Sequence, residues 1–189
     1  MAERERRHAR PRGTIFVPRT QLLSAADVDR AVRRMAHEVI ERNAHVEDLI
    51  VIGLQTGGVP FAERVAAELT DIARRPVEEG LLDVAFYRDD VSLHPVLESA
   101  ETVIDVDLTD RTVLLVDDVL YTGRTIRAAL NALSDWGRPR SIQLAVMVDR
   151  GHRELPIRPD YVGKNLPTAK DEAIDASLSG VWIGTLVAK

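Results

Sequence analysis

Short runs that are apolar at nearly every position constrain this chain most. Leu49-Ile50-Val51-Ile52-Gly53-Leu54, Thr112-Val113-Leu114-Leu115-Val116 and Ile142 to Val148 leave no polar face to turn toward water. Strands covered on only one side alternate apolar and polar residues. Strands covered on both sides do not, and they belong to parallel sheets with helices packed above and below. None of these runs approaches the roughly 18 apolar residues that a membrane helix needs.

Between the runs the periodicity changes. Val28, Ala31, Val32, Met35, Ala36, Val39 and Ile40 recur at helical spacing, opposite Arg30, Arg33, Arg34, His37, Glu38, Glu41 and Arg42. Ser24-Ala25-Ala26-Asp27 precedes them as a capping box, with Leu23 and Val28 set as a hydrophobic staple. This predicts a helix to about Asn43. Phe61, Ala62, Val65, Ala66 and Leu69 mark a second helix, and Arg124 to Leu133 a third, punctuated by Gly137 and Pro139. Leu81 to Tyr87 reads as a further strand, Arg88 to Asp110 as a mobile loop or hairpin, and Val181 to Val187 as the last strand. After Asp149 the chain turns polar and irregular. Strands alternating with helices give an α/β domain with a mainly parallel central sheet.

The 189 residues suit one domain, expected over 21–189. Residues 1–20 carry six arginines against two acids and read as a flexible basic tail. With no cysteines, disulfides and thiolate chemistry are excluded. The opening residues lack a secretory h-region, and a cytoplasmic protein without membrane association is expected. A net charge of −5 argues against a chain that is basic overall.

In open α/β sheets the ligand crevice lies beyond the carboxyl ends of the strands. Three distinctive segments fall there: Gln55–Gly58, Asp117–Thr125 and Asp149–Asn165. Asp117 and Asp118 leave a buried strand together, so at least one must meet solvent, a cation or hydroxyls. Thr122-Gly123-Arg124-Thr125 then supplies hydroxyls, a permissive backbone and free amides at a helix start, which suits a phosphate. Carboxylates beside a phosphate cradle point to a ligand with both diol and phosphate, such as a phosphorylated ribose.

The string VLLVDDVLYTGRT, Val113 to Thr125, resembles the signature for phosphoribosyl pyrophosphate (PRPP) in type I phosphoribosyltransferases. AHEVIERN (Ala36–Asn43), YRDD (Tyr87–Asp90) and GRPRSIQLAVMVDRGHRELPIRPDYVGKNLPT (Gly137–Thr168) resemble the PyrR family. Its members are pyrimidine operon attenuators that also act as uracil phosphoribosyltransferases. The resemblance spans about residues 24–170 and implies the type I fold, with a small hood and a flexible lid loop. It implies conversion of uracil and PRPP to UMP and pyrophosphate. Asp117 and Asp118 would bind the ribose hydroxyls and stabilise the cationic ring. Arg88 would act catalytically from the lid, although the stretch between Asp90 and Asp110 is shorter and differently composed than the family's. Val119, Leu120, Tyr121, Thr122, Gly123, Arg124 and Thr125 would bind the ribose phosphate, and Thr56, Gly57 and Gly58 the pyrophosphate. Mg²⁺ is the implied cofactor, carried mainly by PRPP with no direct protein ligand.

At the pyrophosphate loop the sequence departs from the family. Relatives usually read Thr-Arg-Gly, and Gly57 stands where the arginine would be. A cis peptide at Leu54–Gln55 is implied by analogy. Val148, Asp149, Val162 and Lys164 would line the base pocket, with Tyr161 and Gly163 in the same segment. Uracil, UMP and UTP are the implied small ligands, and a messenger-RNA stem-loop the macromolecular one. Arg34, Arg42, His152, Arg153, Lys164 and Thr168 match the RNA surface. Arg34 and Arg42 are eight residues apart, roughly 80° around a helix, so they can share a face. A homodimer or higher homo-oligomer is expected. Two other readings stay open on the residues: an RNA-binding regulator with negligible catalysis, and a purine phosphoribosyltransferase without an RNA role.

Overall fold

A computed structural model describes residues 13–87 and 101–188. Eight strands and three α-helices follow one another: β1 (Thr14–Ser24), α1 (Ala25–Arg42), β2 (Leu49–Leu54), α2 (Gly58–Ala73), β3 (Glu78–Leu82), β4 (Thr112–Leu120), α3 (Arg124–Leu133), β5 (Ser141–Asp149), β6 (Tyr161–Asn165), β7 (Glu172–Ser177) and β8 (Gly180–Ala188). Five of the strands form a sheet in the order β3-β2-β4-β5-β6, every neighbour parallel. β1, β8 and β7 form a small antiparallel sheet, the hood expected beside the main one.

The uniformly apolar runs are explained by two cores. Val51, Leu114 and Val116 point to one face, where they meet Val28 and Met35 of α1 and Phe61 and Leu69 of α2. Ile50, Ile52, Val113 and Leu115 point to the other, against Ile126, Ala129 and Leu133 of α3. Alternate residues of one strand therefore enter different cores, and a polar residue at either set would be buried without partners.

α1 starts as its sequence predicts. Ser24 Oγ accepts from the Asp27 amide at 3.3 Å, and Asp27 Oδ2 accepts from the Ser24 amide at 2.9 Å, closing the box. The Ser24 hydroxyl and amide hold the Asp27 carboxyl below its ordinary value.

Several boundaries differ from those read in the sequence. Residues 14–20, assigned to the basic tail, are paired with β8 along β1. The third strand of the main sheet covers Glu78–Leu82 rather than 81–87, and Ala85–Tyr87 form a single 3-10 turn. Residues 101–110, read with 88–100 as a loop or hairpin, return antiparallel to the edge of the main sheet. Val103 and Leu81 exchange backbone hydrogen bonds of 2.8 and 2.9 Å, while Ile104 and Leu108 are buried. The stretch after Asp149, read as irregular, contains β6 and β7. Arg88 and the rest of the expected lid through residue 100 lie outside the described residues, as does the start of the tail. Among the described residues, no helix is long and apolar enough to cross a membrane.

Candidate active site and nucleic-acid face

All five strands of the main sheet run the same way, so their carboxyl ends and the loops after them share one edge. Register makes this concrete: Leu120 lies beside Asp149, and Asp149 beside Asn165. The three segments singled out at strand ends in the sequence therefore come together.

Gly58 sets how closely. A Cβ built there would stand 2.3 Å from the Val116 carbonyl oxygen and 3.0 Å from the Asp117 Cα. The first residue of α2 is thus jammed against the β4 backbone at the acidic pair, a distance only glycine allows. The turn before it contains a cis peptide at Gln55–Thr56, one residue later than Leu54–Gln55, where analogy put it. Gly57 has φ −73° and ψ −32°, an ordinary right-handed conformation that any residue adopts.

Asp117 and Asp118 are 8% and 5% exposed. Their carboxylates accept backbone amides, Asp117 Oδ1 from Asp118 at 2.9 Å and Asp118 Oδ1 from Val119 at 2.6 Å. These bonds keep the carboxylates oriented at the end of β4. The pair offers hard oxygen donors, the chemistry Mg²⁺ takes. Among the described residues, no group of three or more His, Cys, Asp or Glu side chains is arranged to hold a metal by itself.

Two helices start at this edge, and neither is capped like α1. α2 begins after Gly57 and α3 after Gly123, both without a side-chain cap and without an acid in the first turn. Anions favour such ends, because the first amides lack intrahelical acceptors and the dipole is positive there. Gly123 sits at φ 93°, in the left-handed region, as the tight turn into α3 requires. The Thr122 carbonyl accepts from Glu154 at 3.0 Å and Leu155 at 3.3 Å, and Arg124 pairs with Glu154 at 2.8 Å. Thr125 follows in the first turn of α3.

The loop between β5 and β6 braces this turn, which sequence reasoning did not anticipate. Arg153, read as an RNA contact, donates to the Tyr121 carbonyl at 2.7 Å and the Ile157 carbonyl at 3.0 Å, and pairs with Asp149 at 2.5 Å. Asp149, read as a base contact, spends its other carboxylate oxygen on the Gly151 amide at 2.9 Å. Arg150, not singled out at all, is 7% exposed with its guanidinium 4.2 Å from the Tyr121 ring centroid. Its one sequence signal was a charge immediately after a buried strand.

On the outer side, Arg34 and Arg42 do share a face, directed at β6. Arg34 donates to the Val162 carbonyl at 2.8 Å and the Gly163 carbonyl at 2.9 Å, and pairs with Glu38 at 2.6 Å. Arg42 pairs with Asp160 at 2.6 Å and lies 5.8 Å from the Tyr161 ring centroid. Val148, read as a base contact, is instead fully buried in the core; it lies beside Lys164 in the ladder, and Lys164 is exposed. The His152 Nε2 lies 2.6 Å from the Thr168 carbonyl oxygen, so those two are neighbours. The basic residues therefore flank β6 and the adjoining loop, although several of their charges are already partnered by acids.

The family profile described as phosphoribosyl transferase domain matches residues 18–178. The bifunctional protein PyrR of Deinococcus radiodurans is 56% identical over 164 residues, covering 85% of this chain and 88% of that one. The bifunctional protein PyrR of Clostridioides difficile is 52% identical over 166 residues, covering 86% and 93%. A hypoxanthine-guanine phosphoribosyltransferase from Bacillus anthracis superposes with a TM-score of 0.69 at 17% identity, covering 92% of this chain and all of that one. The hypoxanthine phosphoribosyltransferase of Trypanosoma cruzi gives 0.68 at 19%, covering 89% and 97%. At such identities the two structures speak to the fold alone.

Proposed function

The chain belongs to the PyrR family of phosphoribosyltransferases, and we propose that it transfers phosphoribose from PRPP to uracil and binds messenger RNA under uridine-nucleotide control. The observation that carries the catalytic half is the approach of Gly58 to Val116 and Asp117. It brings the start of α2 against the oriented acidic pair, and the start of α3 follows that pair along the chain after Tyr121–Gly123. A substrate with a phosphate at each end and a diol between them suits that set of groups.

In the transfer, the bond from the ribose anomeric carbon to pyrophosphate breaks and a bond to uracil N1 forms, with loss of the N1 proton. Positive charge develops on the ribose ring in between. Asp117 and Asp118 hold the ribose hydroxyls and lie close enough to stabilise that charge, which helps most where water is excluded. The turn from Tyr121 to Thr125 takes the 5′-phosphate on its amides and hydroxyls. Thr56, Gly57 and Gly58 take the pyrophosphate at the start of α2. Carried mainly by PRPP, Mg²⁺ would neutralise leaving-group charge, with Asp117 and Asp118 the protein groups whose chemistry would suit it. Val162 and Lys164, in β6, would face the base, whereas Val148 is fully buried in the core and would only back it.

RNA binding is supported by the arrangement of Arg34, Arg42, His152, Lys164 and Thr168 around β6, together with the PyrR relatives. Cations on a rigid strand and helix suit phosphate contacts, and His152 and Thr168 suit base contacts in a loop. A homo-oligomer in the cytoplasm, where PRPP and transcripts occur, is part of the same proposal. The test pairs two assays on the full chain. UMP formation from uracil, PRPP and Mg²⁺ is expected, with uracil preferred over hypoxanthine and guanine. RNA stem-loop binding is expected to tighten with UMP or UTP and to weaken with salt. No turnover above background would remove the transferase, and RNA affinity indifferent to nucleotide would remove the regulator.

A further inference from the structure

We propose that Arg150 is a positioning residue for the ribose-phosphate turn, which it holds through the ring of Tyr121; this rests on the reading of Tyr121–Thr125 given above.

An arginine residue only 7% exposed is costly to bury unless its donors find acceptors. Arg150 Nε donates to Thr168 Oγ1 at 3.0 Å, and Nη2 donates to the carbonyls of Ala169 at 3.1 Å and Glu172 at 2.7 Å. All three acceptors are neutral, so none cancels the positive charge. The Tyr121 ring face, 4.2 Å from the guanidinium carbon, is the group that meets that charge directly. Desolvation accordingly depresses the Arg150 pKa, with the charge near Tyr121 and Glu172 acting against it.

The hydrogen bonds fix the guanidinium from a segment remote in sequence, and its central carbon lies over the ring. His152 meets the same ring edge-on, with centroids 5.9 Å apart and planes at 71°. Arg153 holds the Tyr121 carbonyl at 2.7 Å, and the Arg150 amide donates to the Leu120 carbonyl at 3.1 Å. The residue that opens the phosphate turn is therefore gripped at its ring and at its backbone. A flat, delocalised cation with a fork of donors does this; an ammonium does not.

Loosening the grip should weaken binding of ground and transition states alike, raising KM more than it lowers kcat. The full-length chain is assayed as wild type, Arg150→Met, Arg150→Lys, Tyr121→Leu and Tyr121→Leu with Arg150→Met. Steady-state kinetics for PRPP are read beside calorimetric UMP affinity and thermal unfolding. Arg150→Met is expected to raise the KM for PRPP and the Kd for UMP by about tenfold or more, the scale of a desolvated cation–π contact. Arg150→Lys should recover less than half of that on a logarithmic scale, because charge returns without the plane. In the Tyr121→Leu background, Arg150→Met should add less than about twofold.

Full recovery by Arg150→Lys would overturn the inference in favour of a bare charge effect. Additive penalties would overturn the route through the ring. An unchanged KM and Kd with a lowered Tm would make Arg150 merely structural. Should Arg150→Met fail to fold, Arg150→Lys replaces it in the double-mutant comparison with Tyr121→Leu. Wild type without UMP synthesis would sink the transferase reading instead, while UMP affinity would still judge this one.

Discussion

Replacing Gly58 by alanine tests the geometry on which the site depends. The new Cβ would meet the Val116 oxygen at 2.3 Å, the Asp117 Cα at 3.0 Å and the Val116 carbonyl carbon at 3.2 Å. Carbon and carbonyl oxygen normally approach to about 3.3 Å, so roughly 1 Å must be found. Every obstacle is backbone, two strand residues in the middle of the sheet, and no side chain can swing aside. Overpacking of this kind costs about 1–3 kcal/mol, and the rigid obstacle puts the expected value near the top. Relief comes most easily if the start of α2 backs away from Asp117. A displacement of about 1 Å between reacting groups lowers rates on the order of a hundredfold. Urea unfolding of Gly58→Ala should therefore show a loss of about 2–3 kcal/mol, and the folded protein should lose about two orders of magnitude in kcat/KM for PRPP. Stability within about 0.5 kcal/mol of wild type, or full activity despite the stability loss, would refute the argument that this contact sets the site.

Gly57 should behave oppositely. Its conformation suits any residue, so Gly57→Arg should fold normally and, by adding a guanidinium at the mouth, lower the KM for PRPP by about tenfold or more. Asp117→Asn and Asp118→Asn keep an oxygen for the backbone amides but remove charge; each should lower kcat by about a hundredfold or more with little change in fold. Lys164→Ala should weaken RNA binding and reduce the slope of log affinity against log salt by about one, with thermal stability unchanged. Ser24→Ala should cost about 1 kcal/mol near neutral pH by opening the capping box. The Asp27 carboxyl is held below its ordinary 3.8, so its contribution is present above that value and fades as pH falls through the lower folded one. The stability gap between wild type and Ser24→Ala should thus narrow in acid but not vanish, because the Ser24 Oγ still caps the Asp27 amide.

The parallel sheet and its flanking helices were legible because burial on both faces leaves a plain mark: Leu49–Leu54 and Val113–Val116 have no polar residue to hide them. The helix cap at Ser24 and Asp27 is local chemistry and read correctly. β1 escaped notice because Pro18, Arg19 and Thr20 interrupt a strand whose burial is slight and whose partner, β8, is at the far end of the chain. β3 was displaced because Glu78 and Glu79 open it, exposed, at the sheet edge. β6 and β7 are short and mix small, polar and apolar residues, so no period of two survives. At the candidate site, residue types marked the acidic pair and the Tyr121–Thr125 turn proposed for the phosphate. Asp149 and Arg153 were singled out for other roles, and the brace they form with Arg150 was not legible. Its meaning lies in contacts with Tyr121, Thr168 and Glu172, which only the folded chain creates.

Calorimetric titration of the full-length protein with PRPP in the presence of Mg²⁺ addresses the central claim most directly. Saturable binding at one site per chain, weakened by Asp118→Asn and by Gly58→Ala, is the predicted result. Absence of saturable heat at any accessible PRPP concentration, or binding that neither substitution alters, would contradict it.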